Sequence, residues 1–310
     1  MNAAELKEYF VRAAPDWKHV QEIRIRTGRP VTVSKAGEEL WLFSDGLMPP
    51  GPGKNDPVCA DGMLIKEILG ILSRHSLYAF EEEIRQGFLT VEGGHRVGIA
   101  GKVVPDEDGI RTIRDVSGLN IRLAHERPGC ADQLIPMLFE GGQIESTLLI
   151  SPPGGGKTTM LRDLIRQVSD GSPWGAGQAV SVVDERSEIG ACFRGVPQCD
   201  LGMRTDVMDG CPKALGLEMM IRSMAPRVVA VDEIGTREDF LALRNAAKCG
   251  CRILATVHGY SVEEVMRKPM MAEMVSEGMF SRYAELSAIP HPGSIRGVYD
   301  RGFARIGGGI

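Results

Sequence analysis

The sequence is poor in aromatic residues, 5% in all, and carries no excess of positive charge. Proteins that grip single strands rely on aromatic stacking platforms and basic grooves. A formal net charge of -5 and a pI of about 5.8 therefore argue against a polyanion as the main partner. No stretch approaches the roughly 18 apolar residues needed to cross a bilayer. The opening residues 1–17 mix apolar and charged positions as an amphipathic helix does, without the apolar core of a secretory signal. The expectation is a chain with no membrane span of its own, peripheral if it works at a membrane. There is no disulfide framework either. Cys59, Cys130, Cys192, Cys199, Cys211, Cys249 and Cys251 are odd in number and scattered, as suits reduced thiols. Cys249 and Cys251 have no second Cys/His pair at zinc-like spacing and read as structural. Internal repeats are absent.

What is present suits about two globular domains: 310 residues, 43% hydrophobic and 25% charged. An N-terminal helix leads into the strand-like EIRIRTGRPVTV. A Pro/Gly-rich stretch at 45–62 reads as slack loop. Helical periodicity over 63–86 puts Leu64, Ile68, Ile71 and Leu72 on one face. Short strand patterns follow, with VEGGH and PDEDG as hairpin turns. From residue 145 the rhythm changes. The apolar strands STLLI, AVSVV, RVVAV and CRILATV alternate with helical stretches, which argues for a parallel sheet covered on both faces. Two late strands, FSRYAELSA and GSIRGVYD, precede a tail expected to fray. The reading is an α/β chain with a smaller α+β N-terminal domain over 1–135 and a mostly parallel domain over 136–310.

One stretch fixes the chemistry. Strand residues Thr147–Ile150 run into SPPGGGKTT and then a helix. The pattern is a phosphate loop with Ser151 in place of its first glycine. Pro153, Gly154, Gly155 and Gly156 would let backbone N–H groups curl around a phosphate at the helix N-terminus. Lys157 would reach the β- and γ-phosphates, Thr158 would put its hydroxyl on Mg²⁺, and Thr159 would lie near the α-phosphate or cap the helix. A phosphate loop needs a partner strand ending in acid, and RVVAVDEIG supplies one. Asp232 would hold Mg²⁺ and Glu233 would orient or deprotonate an attacking water. A third strand ends in Asp184-Glu185. A fourth ends in Thr256 and His258, either of which would sense the γ-phosphate.

These four elements, in this order, resemble the secretion-ATPase superfamily of RecA-like motors, which carries a phosphate loop, an acidic box, a second Walker motif and a histidine box. Members drive type II and type IV secretion and pilus assembly. The superfamily often has Gly where this chain has Asp232, whereas Glu233 matches. Arg222 stands where an arginine is often found. The resemblance implies ATP and Mg²⁺, with Glu233, Asp184, Glu185, His258 and Arg222 as the catalytic set. Longer stretches, SVVDERSEIGA, MRTDVMDGCPKALGLEMMIRSMAPRVVAVDEIG and GHRVGIAGKVV among them, are similar to the stage III sporulation protein AA family. That implies a mother-cell cytoplasmic ATPase docked to membrane proteins of the channel between mother cell and forespore.

RecA-like motors complete their site with a neighbour's arginine, so the resemblance also implies a homo-hexamer. Arg111, Arg114 and Arg122 are the candidate trans arginines in the N-terminal domain, with Arg96 beside them; Arg204 and Arg222 are candidates in the second. Two other classes remain open on sequence: a nucleic-acid-associated ATPase, disfavoured by the acidic balance, and a nucleotide-dependent assembly scaffold.

Overall fold

The computed structural model describes residues 1–51, 56–74, 84–85, 87–106 and 109–306. It forms two compact units, Met1–His125 and Glu126–Ile310. The division falls ahead of the expected 135/136 boundary. Ala131, Leu134 and Ile135 are the reason: they are buried in the second unit's core beside Leu149, Leu161 and Leu164.

The first unit opens with α1 (Ala3–Ala13), whose N-terminus is closed by a reciprocal cap between Asn2 and Glu5. Seven strands follow: β1 (Val20–Arg26), β2 (Thr32–Lys35), β3 (Glu38–Phe43), β4 (Gly46–Met48), β5 (Phe88–Val91), β6 (His95–Asp106) and β7 (Gly109–Arg122). They make one antiparallel sheet in the order β4-β3-β2-β1-β7-β6-β5. The VEGGH hairpin closes as Val91 pairs with His95; at PDEDG, Asp106 pairs with Gly109 and the two residues between lie outside the described ones. Helix α2 (Gly62–Leu72) covers one sheet face with Leu64, Ile65, Ile68 and Leu69. Its buried stripe is rotated from the expected one: Ile71 is 52% exposed. The expected continuation of this helix to 86 falls mostly outside the described residues. The stretch at 45–62 is not all slack. It contributes β4, and the Val58 amide donates to the Leu42 carbonyl while the Val31 amide donates to Val58, both at 2.8 Å.

In the second unit a short helix α3 (Ile135–Leu138) and the two-residue strands β8 (Phe139–Glu140) and β9 (Gln143–Ile144) precede the main sheet. Then come β10 (Thr147–Ser151), α4 (Lys157–Asp170), the small hairpin β11 (Gly171–Ser172) and β12 (Gly175–Ala176), β13 (Val180–Asp184), β14 (Thr205–Asp209), α5 (Lys213–Met224), β15 (Val228–Val231), α6 (Arg237–Lys248) and β16 (Arg252–His258). Helices α7 (Val262–Met266) and α8 (Pro269–Ser276) lead to β17 (Arg282–Ser287), β18 (Ser294–Asp300) and β19 (Arg305–Ile306). The order is β14-β13-β15-β16-β10-β17-β18-β19. Pairing is parallel from β14 to β17 and antiparallel beyond. The expected frayed tail thus gives the sheet a last strand, and residues 307–310 lie outside the described ones. β14 was not legible, because its TDVMD alternates acids with apolar residues like a loop.

The strands are apolar throughout because both faces are covered. Leu148 and Ile150 pack with Leu217, Phe240, Leu243 and Val265 from the helices of one side. Leu149, between them, packs with Leu138, Leu161 and Leu164 on the other. Strand β16 lies between β10 and β15, so Ser151, at the mouth of the phosphate loop, pairs with His258. Parallel register brings all the strand carboxyl ends to one edge, where ligands bind in open α/β sheets.

Candidate active site at the carboxyl edge

The loop after β10 is shaped by what a side chain would strike. A Cβ on Gly155 would lie 2.2 Å from Ser151 Oγ, and one on Gly156 would lie 2.6 Å from the Gly293 backbone nitrogen. Gly156 also sits at φ 87°, a left-handed conformation that favours glycine. Ser151, which replaces the usual glycine, is fully buried and bonds its own loop, Oγ donating to the Pro152 carbonyl at 3.0 Å. The turn between β17 and β18 braces the loop from outside, as the Gly293 amide donates to the Gly155 carbonyl at 2.9 Å. Pro153 and Gly154 are exposed at the tip. Helix α4 begins at Lys157 with Gly156 at its N-cap and no side-chain cap. Its first amides are therefore left for an anion. Thr159 is half-buried in the first turn.

Asp232 and Glu233 emerge from β15 opposite that helix. Thr158 Oγ1 donates to Asp232 Oδ2 at 2.7 Å. Thr256, fully buried on β16, donates its hydroxyl to Asp232 Oδ1 and accepts the Glu233 amide at 2.9 Å. Thr256, one of the two expected γ-phosphate sensors, thus braces the acid pair. Glu233 is held at φ 52°, an uncommon conformation for a non-glycine residue and one met at functional sites.

The Glu233 carboxylate is the hub. His258 Nε2 lies 2.7 Å from its Oε1, and Lys157 Nζ lies 3.6 Å from the same oxygen. Lys157 Nζ is 3.2 Å from His258 Nδ1. Nζ is also 3.4 Å from His258 Nε2; because a carboxylate only accepts, the 2.7 Å contact has Nε2 donating to Glu233. Arg186, which the sequence reading passed over, places Nη1 2.7 Å from Glu233 Oε2. Burial works to raise the Glu233 pKa; the hydrogen bond and charge of His258, with the charges of Lys157 and Arg186, outweigh it and hold the carboxyl below its ordinary value. The signal for Arg186 was a cation directly behind the strand-end acids Asp184-Glu185.

The remaining candidates do not join this set of contacts. Asp184 is 2% exposed. Its two oxygens accept the amides of Glu188, Ile189 and Gly190 at 2.8–2.9 Å. Burial pushes its pKa up to about 6 despite those bonds, and nearby Asp209 adds to the rise. Its carboxylate shapes the loop after β13. Glu185 is tied to the buried Lys213 at the start of α5. Arg222 is not at this edge: it sits in the last turn of α5, exposed, bonded to Glu218 at 2.6 Å. That turn leads into the start of β15, the opposite end of the sheet. Arg204 donates to the Ser169 and Asp170 carbonyls at the end of α4, where a cation suits the helix dipole. Arg111, Arg114 and Arg122 lie on β7 of the first unit, all exposed. Cys251 is buried and donates its thiol to the Pro226 carbonyl, a structural contact.

Among the described residues no helix is long and apolar enough to cross a membrane. The family model for Sporulation stage III, protein AA, matches residues 1–306. Stage III sporulation protein AA of Bacillus subtilis is 42% identical over 285 residues, covering 92% of this chain and 88% of the relative. Two solved structures share the fold. The Legionella pneumophila ATPase DotB superposes with a TM-score of 0.60 at 16% identity, over 92% of this chain and 76% of that one. The pilus retraction motor PilT with bound ADP also gives 0.60, at 15% identity, over 92% and 78%. With residues 1–306 matched by the family model and a fold shared with DotB and PilT, the chain belongs to the Sporulation stage III, protein AA family.

Proposed function

We propose that the chain is a Mg²⁺-dependent ATPase, the subunit of a cytoplasmic hexameric ring that docks on membrane proteins of a sporulation channel at the mother-cell face and powers or gates it. One observation carries the catalytic part of this reading: Lys157, Thr158, Asp232, Glu233 and His258 converge at one edge within direct contact of one another. The phosphate loop and the uncapped start of α4 hold the phosphates, and Lys157 turns from Glu233 to the β- and γ-oxygens.

The Thr158 hydroxyl and the Asp232 carboxylate, 2.7 Å apart, are hard oxygen donors side by side, a set that fits Mg²⁺ completed by phosphate and water. The ion would neutralise charge building on the phosphates. Glu233 orients a water, accepts its proton as the water oxygen bonds to the γ-phosphorus, and the bridging oxygen departs with ADP. His258 donates to Glu233 and fixes its orientation.

The test sets Glu233→Gln beside wild type. Gln keeps the shape of the side chain and loses the basic carboxylate. Nucleotide affinity is expected to be unchanged, with hydrolysis falling about 10²–10⁴-fold, the usual worth of a positioned base. Undiminished turnover in the variant would remove Glu233 from the mechanism.

A further inference from the structure

The loop after β13 carries a side chain that the reading above leaves without a task. Arg186 reaches across from the loop after β13 to bond Glu233, just beyond the end of β15, although it is itself 66% exposed. The loop that carries it is fixed just beyond it, at residues 188–190. Asp184 accepts the amides of residues 188–190. Arg162, on the helix that starts at the phosphate loop, donates to the Glu188 and Ile189 carbonyls at 2.8 Å. A loop tied to the phosphate-loop helix thus presents a solvent-facing guanidinium to the acid at the centre of the site.

We propose that Arg186 is a γ-phosphate ligand supplied from within the same chain, held on Glu233 until a nucleoside triphosphate draws it off. The inference rests on the ATPase reading and assigns a residue to it. Lys157, His258 and Arg186 converge on a single anion, the Glu233 carboxylate. A γ-phosphate at the mouth of the same loop offers more negative charge and three oxygens, and a guanidinium prefers such a partner. Transfer of Arg186 and Lys157 to the phosphate does two things in one step. It puts positive charge where the transition state develops negative charge. It also releases the Glu233 carboxylate from its ion pairs, leaving its oxygens open to a water. ADP lacks the γ-phosphate, so with ADP the clamp on Glu233 stays closed by Arg186.

The experiment measures equilibrium binding of fluorescent ADP and of a fluorescent non-hydrolysable ATP analogue, both with Mg²⁺, to wild type, Arg186→Ala and Arg186→Lys, with turnover measured alongside. Arg186→Ala is expected to bind the triphosphate about tenfold or more weakly and to lose about a thousandfold in kcat, the lower range for an arginine acting on a transferring phosphoryl group. Its ADP affinity stays within about twofold of wild type, which also certifies that the variant is folded. Arg186→Lys recovers part of the triphosphate affinity, since lysine keeps the charge without the fork. Equal loss of both nucleotides, or wild-type triphosphate affinity in Arg186→Ala, overturns the assignment. Faster turnover at unchanged affinity also overturns it, leaving an ion pair that only restrains Glu233. If wild type itself binds neither nucleotide, the ATPase reading falls first and takes this inference with it.

Discussion

At the scale of single residues, the same chemical group has opposite duties on neighbouring strands. Glu233 is a carboxylate kept ionised by surrounding cations, whereas Asp184 is a carboxylate that burial drives toward its protonated form. The second has a consequence for stability. Its pKa rises from 3.8 unfolded to about 6 folded, so the folded chain binds the proton more tightly. The stability due to that proton is full below about pH 4 and is lost as pH climbs through about 6, on the order of 3 kcal/mol in all. Asp184→Asn cannot titrate. It weakens the loop by disturbing the three amide bonds, yet its penalty relative to wild type should shrink between about pH 4 and pH 7. Urea unfolding of both proteins at the two pH values measures this; equal penalties would mean that Asp184 titrates as an ordinary acid. The sequence shows that Asp184 and Glu185 reach the carboxyl edge, since a strand end reveals the edge; which way each side chain turns is visible only in the structure. Lys157, Thr158, Asp232, Glu233 and His258 were legible because each sits at the end of an apolar strand or in the glycine loop. Arg186 was hidden because its partner lies on another strand.

Elements are legible in the sequence where their pattern has one cause. Apolar runs named β10, β13, β15 and β16, since a strand covered on both faces has no polar alternation to confuse. β14 was missed because an edge strand is half solvated and its acids mimic a loop. The stripe on α2 was placed one position off because 3.6-residue periodicity fits two adjacent faces when Ile65, Leu69 and Ile71 are all apolar. Helix α6 matters most to the site, since it starts just after Glu233. Thr236 caps it: Oγ1 accepts the Asp239 amide at 3.1 Å, and Asp239 Oδ2 accepts the Gly235 and Thr236 amides at 3.1 Å. Thr236→Ala should cost about 1 kcal/mol. It should lower the urea midpoint without changing the m-value. An unmoved midpoint would show that the Asp239 bonds alone define the turn.

For the whole molecule, the candidate trans arginines of the proposed ring lie on a charged ladder within the first unit. Arg122 stands directly opposite Arg96 across the β6–β7 ladder, and Arg114 opposite Lys102. Like charges in such positions cost stability, and Glu22, which faces Arg122 from β1, offsets part of that cost. In the proposed ring, specific ATPase activity should rise with protein concentration, because subunits that complete each other's sites obey mass action. A flat profile, with activity present at the highest dilution, would mean that each chain is catalytically complete. One feature of the second unit also bears on how the protein comes into being. The strand that joins the phosphate loop to the acid pair is β16, which follows both in sequence. On the ribosome, Lys157 and Glu233 emerge while the strand that must lie between theirs is still unmade. A nascent chain therefore carries every phosphate-binding glycine and still has no site, and its first contact between lysine and glutamate coincides with completion of the sheet's centre.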